Sequence, residues 1–306
     1  MKPQNPWIKL KAALEPEDAA AIRDLEKACV LADGTAFKLE LDYKLSTAAQ
    51  GGYESAPWNV NEFMAFDAGR LIGYLGVGLF GGEGATPEAM GMVHPEYRRQ
   101  GVFSALHHLV LPEWRRRGIQ SALLLSDGKS ASGQAFLKKT GAARHHAEYE
   151  MYLRNDRALS GWPDLGVSFH KAMNADATEV ARQNVLYFGE ERGGEDAEGA
   201  VLLMPEEEEK RGMTIYLAEV DGQIVGKVHL QLLGGLGGIY GLGVLPEYRG
   251  KGLGRAILLE SVRRLRAAGA EEVMLQVATG NQNALRLYES CGFETTSTMD
   301  YFALSL

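Results

Sequence analysis

The sequence predicts a mixed α/β protein built from two tandem copies of one domain, and three observations carry that prediction. The 306 residues exceed one ordinary domain and suit two of about 150. A tetrapeptide, Pro95-Glu96-Tyr97-Arg98, returns as Pro246-Glu247-Tyr248-Arg249, and the same displacement of 151 residues carries Gly101 onto Gly252, Gly118 onto Gly269 and Gly141 onto Gly292 without a gap. Within each copy strand patterns come first and helices alternate with strands later. That order belongs to a mixed, mostly antiparallel sheet with flanking helices, not to a doubly wound parallel one.

Each element of the second copy has its own signal. Val167–Ala172 alternates as a strand, and Ala177–Tyr187 reads as a helix entered through Asp176. Thr214–Val220 and Ile224–Leu232 are strands joined by the turn dipeptide Asp221-Gly222. Ile239–Val244 is a strand ended by Pro246. Gly254–Ala268 is a helix with Ile257, Leu258, Val262 and Leu265 on one face and Gly269 past its end. Glu272–Val277 is a strand, Asn283–Ser290 a helix and Thr298–Leu304 a closing strand. In the first copy the offset loosens upstream. Leu71-Ile72-Gly73 matches Ile224-Val225-Gly226 at 153 and Lys11-Ala12 matches Lys171-Ala172 at 160, so extra residues are expected around Gly51-Gly52 and Gly81-Gly82. The seam is expected near Arg154–Asp164, with Asn155, Asp156, Gly161 and Pro163 as linker, giving domains over 1–154 and 165–306.

Composition narrows the function. A net charge of −8 disfavours a nucleic-acid backbone as partner. Cys29 and Cys291 stand in no metal-ligand spacing and two cysteines are too few for a secreted disulfide framework, no apolar leader is visible, and no run approaches the ~20 apolar residues of a membrane span, so a cytoplasmic protein is expected. The adjacent pairs His107-His108 and His145-His146 cannot converge on one helix face, and no metal site is expected. Glu206–Glu209 reads as a solvated helix start or loop.

The sharpest local signal is Arg249-Gly250-Lys251-Gly252-Leu253-Gly254-Arg255, between a strand and a helix. Glycines let the backbone turn tightly and approach a ligand, and a helix N-terminus directs unpaired N–H groups and positive dipole at it. Lys251 and Arg255 would add charge at the rim. The glycine spacing is wrong for a dinucleotide fingerprint, and no Gly-Lys-Ser/Thr follows for a Walker loop.

These residues resemble the GNAT superfamily of acetyl-CoA-dependent N-acetyltransferases. The family's loop pattern, Arg/Gln-x-x-Gly-x-Gly/Ala, is met by Arg249, Gly252 and Gly254, and its second pattern by Asn281, Ala284, Leu287-Tyr288 and Gly292-Phe293. The tandem layout resembles that of mycothiol synthase-like tandem GNAT proteins. The resemblance implies a sheet that splays where the strand ending at Val244 parts from Glu272–Val277 to admit the pantetheine arm of coenzyme A. It implies that Leu242, Gly243 and Val244 pair with pantetheine as a borrowed strand, and that Gly250, Lys251, Gly252, Leu253, Gly254 and Arg255 hold the pyrophosphate. Asn281 and Ala284 would orient the cofactor and the turn, with Tyr288 beside the sulfur.

Acetyl transfer to an amine needs a neutral amine, a polarised carbonyl and a proton for the leaving thiolate. Strand N–H groups near Gly243 and Val244 are the candidate oxyanion donors and Tyr288 the candidate general acid. The strand Gly238–Leu242 offers no carboxylate, so the base is sought among Tyr240, His229 and Glu219, with Tyr240 ranked first and a relaying water as the alternative. Cys291 reads as a small buried thiol. The first copy keeps a second candidate cofactor loop, Met92, Val93, Arg98, Arg99, Gln100, Gly101, Val102 and Phe103, with Phe103 in place of the last glycine. There Tyr288 maps to Leu137, Asn281 to Ser130 and Phe293 to Ala142, so chemistry is expected only in the second copy. The expected function is acetylation of a primary amine on a small molecule. The alternatives are a protein or peptide N-acetyltransferase, or a non-catalytic acyl-CoA-binding regulatory protein.

Overall fold

The computed structural model describes residues 2–49, 58–79, 86–154, 164–188 and 202–306. Gly51-Gly52, Gly81-Gly82 and the linker residues Asn155, Asp156, Gly161 and Pro163 lie outside the described residues. The chain divides into two compact units. The first takes the described residues through Glu148 together with Ser297–Leu306, and the second takes those of Tyr149–Thr296. No helix among the described residues is long and apolar enough to cross a membrane.

In the first unit the elements follow as β1 (Pro6–Lys11), α1 (Pro16–Asp33), α2 (Leu41–Ala49), β2 (Glu62–Asp67), β3 (Arg70–Gly78), β4 (Glu88–Val93), α3 (Val102–Arg116), β5 (Ser121–Asp127), α4 (Ala131–Thr140) and the start of β6 (Ala143–Leu153). Strands β1 to β4 pair antiparallel in sequence, and β4 pairs parallel with β5 across the α3 crossover. Alternation along the strands feeds two cores. Met64 and Tyr74 pack with Ile22, Leu25 and Cys29 of α1, while Phe63, Ile72 and Leu75 pack with Leu106, Val110 and Trp114 of α3.

The second unit repeats this plan with β7 (Ser168–Lys171), α5 (Ala177–Phe188), α6 (Pro205–Lys210), β8 (Met213–Val220), β9 (Gln223–Leu233), β10 (Leu236–Val244), α7 (Leu253–Ala267), β11 (Glu272–Ala278), α8 (Gln282–Ser290) and the start of β12 (Phe293–Ser305). Strands β7 to β10 are antiparallel neighbours, and β10 pairs parallel with β11 across α7. Asp221 and Gly222 both take positive φ, as the β8–β9 hairpin turn requires. Leu253, Ile257, Leu258, Val262 and Leu265 form the buried stripe of α7. The acidic run falls on α6, where Lys171, Lys210 and Arg211 answer Glu209, Glu207 and Glu208.

The expected division at 154 and 165 differs from this one in two segments. Residues 149–154 belong to the second unit, and Ser297–Leu306 belong to the first, where Met299–Ser305 pair antiparallel with β5. The repeat offset locates two copies of β5-like strand but says nothing about which one the last strand joins. That choice is a long-range hydrogen-bonding decision, and it covers an otherwise open β5 edge.

A buried ion pair marks the first unit. The Lys44 ammonium meets the Glu62 carboxylate at 2.8 and 3.1 Å, with the Tyr74 hydroxyl on the same carboxylate. Burial, only partly offset by Lys44, pushes the Glu62 carboxyl above its usual range. Lys44→Met is expected to cost about 3–5 kcal/mol at neutral pH by stranding that charge. The stranded carboxyl has a folded pKa further above the unfolded one, so its protonated form is favoured by folding. The deficit should therefore shrink as pH falls toward the carboxylate range and grow as pH rises. Denaturant melts of both proteins across pH 4–8 check this, and a pH-independent deficit would contradict it.

Candidate active site

The ladder between β10 and β11 runs from Leu236 opposite Glu272 to Ile239 opposite Leu275 and stops, although β10 continues to Val244 and β11 to Ala278. On its other edge β10 shifts register against β9 between Tyr240 and Gly243, so Gly241 and Leu242 together face Val228. Gly241 has φ +55°, a conformation that favours glycine. Gly243 is required by space, because a Cβ there would run into the Tyr187 ring of α5.

Below this opening the chain turns through Pro246–Tyr248 into the glycine loop. Arg249 Nε donates to the Val244 carbonyl at 2.9 Å, locking the loop to the strand end. Gly250 and Gly252 follow with φ +75° and +83°, and α7 begins at Leu253, so its first N–H groups face the loop. Gly254 is different: a Cβ there would find only ordinary contacts with Leu287 and Val244, at 3.5 and 3.6 Å. The rim charges are not both free to face an anion. Lys251 Nζ stands 5.3 Å over the Tyr248 ring, while Arg255 donates to Ser290 Oγ at 2.7 Å and Cys291 Sγ at 3.1 Å. Leu165 Cδ1 lies 3.2 Å from where a Gly252 Cβ would stand, a neighbour with no signal in the loop sequence.

Helix α8 supplies the second pattern. Asn281 is its N-cap, accepting from the Ala284 N–H at 3.1 Å, and Ala284 packs beside the core. Tyr288 is buried near Phe293 with ring centroids 6.3 Å apart. Burial and the neighbouring Cys291 push its hydroxyl up to about 12, so it stays protonated at neutral pH. Cys291 is fully buried and burial pushes its thiol up, the state of an inert thiol.

The base candidates do not converge. Tyr240 folds over Gly238 and its hydroxyl lies 3.6 Å from Met274 Sδ. Glu219 stands on β8, two strands from β10, opposite Ser168. His229 faces Tyr240 across the ladder, and its Nε2 is 3.2 Å from the ammonium of Lys227. Burial and that ammonium hold its imidazole well below the usual range, hence neutral. Lys227 belongs to no motif of the sequence. Its one signal there is a lysine within the strand pattern Ile224–Leu232, two residues before His229 and so on the same strand face.

The first unit keeps more of this arrangement than its sequence promises. Arg98 Nε donates to the Val93 carbonyl at 3.1 Å, and Arg99 and Gly101 take φ +62° and +81°, so the loop backbone matches that of the second unit. Arg99 does so without being glycine, at a cost of about 1–2 kcal/mol. Arg98 is further held by Asp33 at 2.7 Å, and Gln100 donates to the Glu96 carbonyl at 3.0 Å. Ser130 caps α4 as Asn281 caps α8, accepting from the Gly133 N–H at 3.1 Å. Leu137 is buried in the core, leaving no hydroxyl at the place of Tyr288.

Between β4 and β5 only Glu88–Leu123 and Ala89–Leu124 pair, and a cleft of about 700 Å³ opens beyond them, lined by Met92, Val93, Arg98, Arg99, Gly101, Val102 and Phe103. Phe103 lines this cleft instead of filling it. Its ring lies against Gly91, where no Cβ would fit, and meets Phe136 edge-on at 4.7 Å. Glycine on the strand thus compensates for bulk on the helix. Thr35 Oγ1 and His107 Nε2, both buried and on the cleft wall, have no hydrogen-bond partner among the described residues. Among the described residues no group of three His, Cys, Asp or Glu side chains is placed to hold a metal.

A parallel strand pair that parts in mid-course above a left-handed loop at a helix N-terminus, present in both units, defines a tandem α/β acyltransferase fold. The chain belongs to the Acetyltransferase (GNAT) family, whose profile matches residues 37–142 and 183–293. It is similar to the mycothiol acetyltransferase of Stackebrandtia nassauensis, 27% identical with 95% of this chain and 96% of that one covered, and to that of Mycolicibacterium vanbaalenii, 29% identical with 93% of each covered. Among solved structures it resembles a GCN5-related N-acetyltransferase from Sphaerobacter thermophilus, with TM-score 0.71, 20% identity and coverage of 100% and 97%. It also resembles a tandem GNAT protein from the clavulanic acid biosynthesis pathway, with TM-score 0.70, 18% identity and 98% of each chain covered. At these identities the two structures attest the fold.

Proposed function

We propose that this enzyme moves an acetyl group from acetyl-CoA to a primary amine of a small molecule, by direct attack in a ternary complex, with the chemistry in the second unit. The observation that carries this reading is the parting of β10 from β11 directly above the α7 N-terminus, with protonated Tyr288 on the adjoining helix. The β11-side edge of Leu242, Gly243 and Val244 lies beyond the end of the β10–β11 ladder and suits an extended amide-bearing arm. The loop from Arg249 to Arg255 offers N–H groups to a pyrophosphate, chiefly through backbone, since Arg249 and Arg255 spend donors on Val244, Ser290 and Cys291. Tyr288 would give its proton to the departing thiolate. Relatives named mycothiol acetyltransferase favour a small-molecule acceptor. Tyr240 is a weak base candidate because its hydroxyl is directed at Met274.

Thiol release from acetyl-CoA, measured with a panel of simple amines, amino sugars and short peptides, tests the proposal. Release that depends on a small amine is the expected result. Release only with peptides would favour the peptide reading, and thermal protection by acetyl-CoA without any release would favour a regulatory binder.

A second reading concerns the first unit alone. Its open cleft, with Thr35 Oγ1 and His107 Nε2 lacking hydrogen bonds among the described residues, suits an acyl-CoA as well. Calorimetric titration should then find more than one acetyl-CoA per chain, dropping by one in Gly101→Trp. A single site insensitive to Gly101→Trp would refute it.

A further inference from the structure

Lys227 lies in mid-strand between Gly226 and Val228 and is fully buried. An ammonium in such a place is costly unless polar groups answer it. One answer is a backbone carbonyl: Nζ donates to the Gly241 oxygen at 3.1 Å, with His229 Nε2 at 3.2 Å and the Tyr187 ring centroid at 5.6 Å. Gly241 is the left-handed residue of the β10 bulge. Its carbonyl is therefore directed at a side chain, where a regular strand would direct it at a neighbouring strand. The peptide it belongs to is planar and trans, so the Leu242 N–H of the same peptide points away from Lys227. The pairing of β10 with β11 has ended two residues earlier, at Ile239.

The geometry points to Lys227 as a positioning residue, whose ammonium holds the Gly241–Leu242 peptide so that the Leu242 N–H faces the gap between β10 and β11 and donates to the thioester carbonyl oxygen. Two physical effects follow. The donor is fixed before substrate arrives, so no reorganisation is needed as negative charge develops on that oxygen. A charge-assisted bond to the peptide carbonyl also polarises the peptide and strengthens the N–H on its other end. Lys227 thus acts through the backbone and touches no reacting atom. The inference rests on the acetyl-transfer reading of the second unit.

The test uses the full chain and acetyl-CoA labelled with ¹³C at the thioester carbonyl. On binding to the wild type the carbonyl resonance should move downfield, and Gly252→Trp should abolish the moved signal, which assigns it to the second unit. Lys227→Met should still bind acetyl-CoA within a few fold but return the resonance toward its free position. Lys227→Gln, which keeps a neutral donor, should fall between and serves where Met fails to fold. With an amine found active on the wild type, kcat of Lys227→Met should drop, by at most the roughly 10²–10³-fold that outright loss of an oxyanion donor costs, with KM for acetyl-CoA little changed. A folded Lys227→Met or Lys227→Gln protein whose bound carbonyl resonance matches the wild type overturns the inference, as does a wild-type complex in which the resonance does not move. Absence of any acetyl-CoA binding to the wild type would instead overturn the acetyl-transfer reading itself.

Discussion

Replacing Tyr288 with phenylalanine is expected to lower kcat by about 10²–10⁴-fold while leaving KM for acetyl-CoA within a few fold, the pattern of an interaction made only in the transition state. The ring is retained, so the packing of Tyr288 near Phe293 and within the α7–α8 core survives, and little stability is lost. What disappears is the proton. Burial keeps this hydroxyl protonated up to about 12, so throughout the neutral range it is present as a donor and its own ionisation leaves no mark on the pH–rate profile. The thiolate leaving from coenzyme A is more basic than a carboxylate and calls for such a donor. Steady-state kinetics with an active amine decide the matter: unaltered turnover in Tyr288→Phe would make this tyrosine a packing residue.

Gly252→Trp is expected to abolish both acetyl transfer and thermal protection by acetyl-CoA, while Gly101→Trp leaves much of kcat. The comparison is controlled by the backbone itself. Both glycines sit at nearly the same left-handed φ, +83° and +81°, so the conformational penalty of a side chain, about 1–3 kcal/mol, is common to the two variants. Their surroundings differ, since a Cβ at 252 meets Leu165 at 3.2 Å whereas one at 101 finds nothing within 4 Å among the described residues. Each variant is checked for folding by circular dichroism before assay. An unequal effect then reports which loop serves the chemistry. An active Gly252→Trp beside a dead Gly101→Trp would move the chemistry to the first unit, whose cleft of about 700 Å³ lies beside Gly101.

Much of this protein was legible in one dimension because its signals are local. The ungapped recurrence of Pro-Glu-Tyr-Arg and three glycines located two copies of one loop, and each glycine proved to be a left-handed position: Gly101, Gly118, Gly141, Gly252, Gly269 and Gly292 all have positive φ. The α7 stripe followed from period alone and the β8–β9 turn from Asp221-Gly222, but β10 begins at Leu236 and β12 at Phe293, three and five residues before the expected starts at Ile239 and Thr298. Mapping Tyr288 onto Leu137 correctly separated a hydroxyl-bearing core position from an apolar one. Mapping Asn281 onto Ser130 suggested a loss that the structure does not show, because both residues cap a helix and serine does so equally well.

The sequence by itself determined the duplicated α/β plan, the loops that end β4 and β10, and the residue types that each unit brings to its opening. The tertiary structure decided three things no pattern contains. It gave Met299–Ser305 to β5 of the first unit, since a strand's partner is set by long-range hydrogen bonding and not by its own residues. It turned Arg249 and Arg98 onto strand-end carbonyls and Arg255 onto Ser290 and Cys291, since a flexible cation settles on whichever acceptors the fold brings within reach. And it set the buried ammonium of Lys227 on the Gly241 carbonyl, a contact across two strands that exists only because a bulge rotates one peptide out of the ladder.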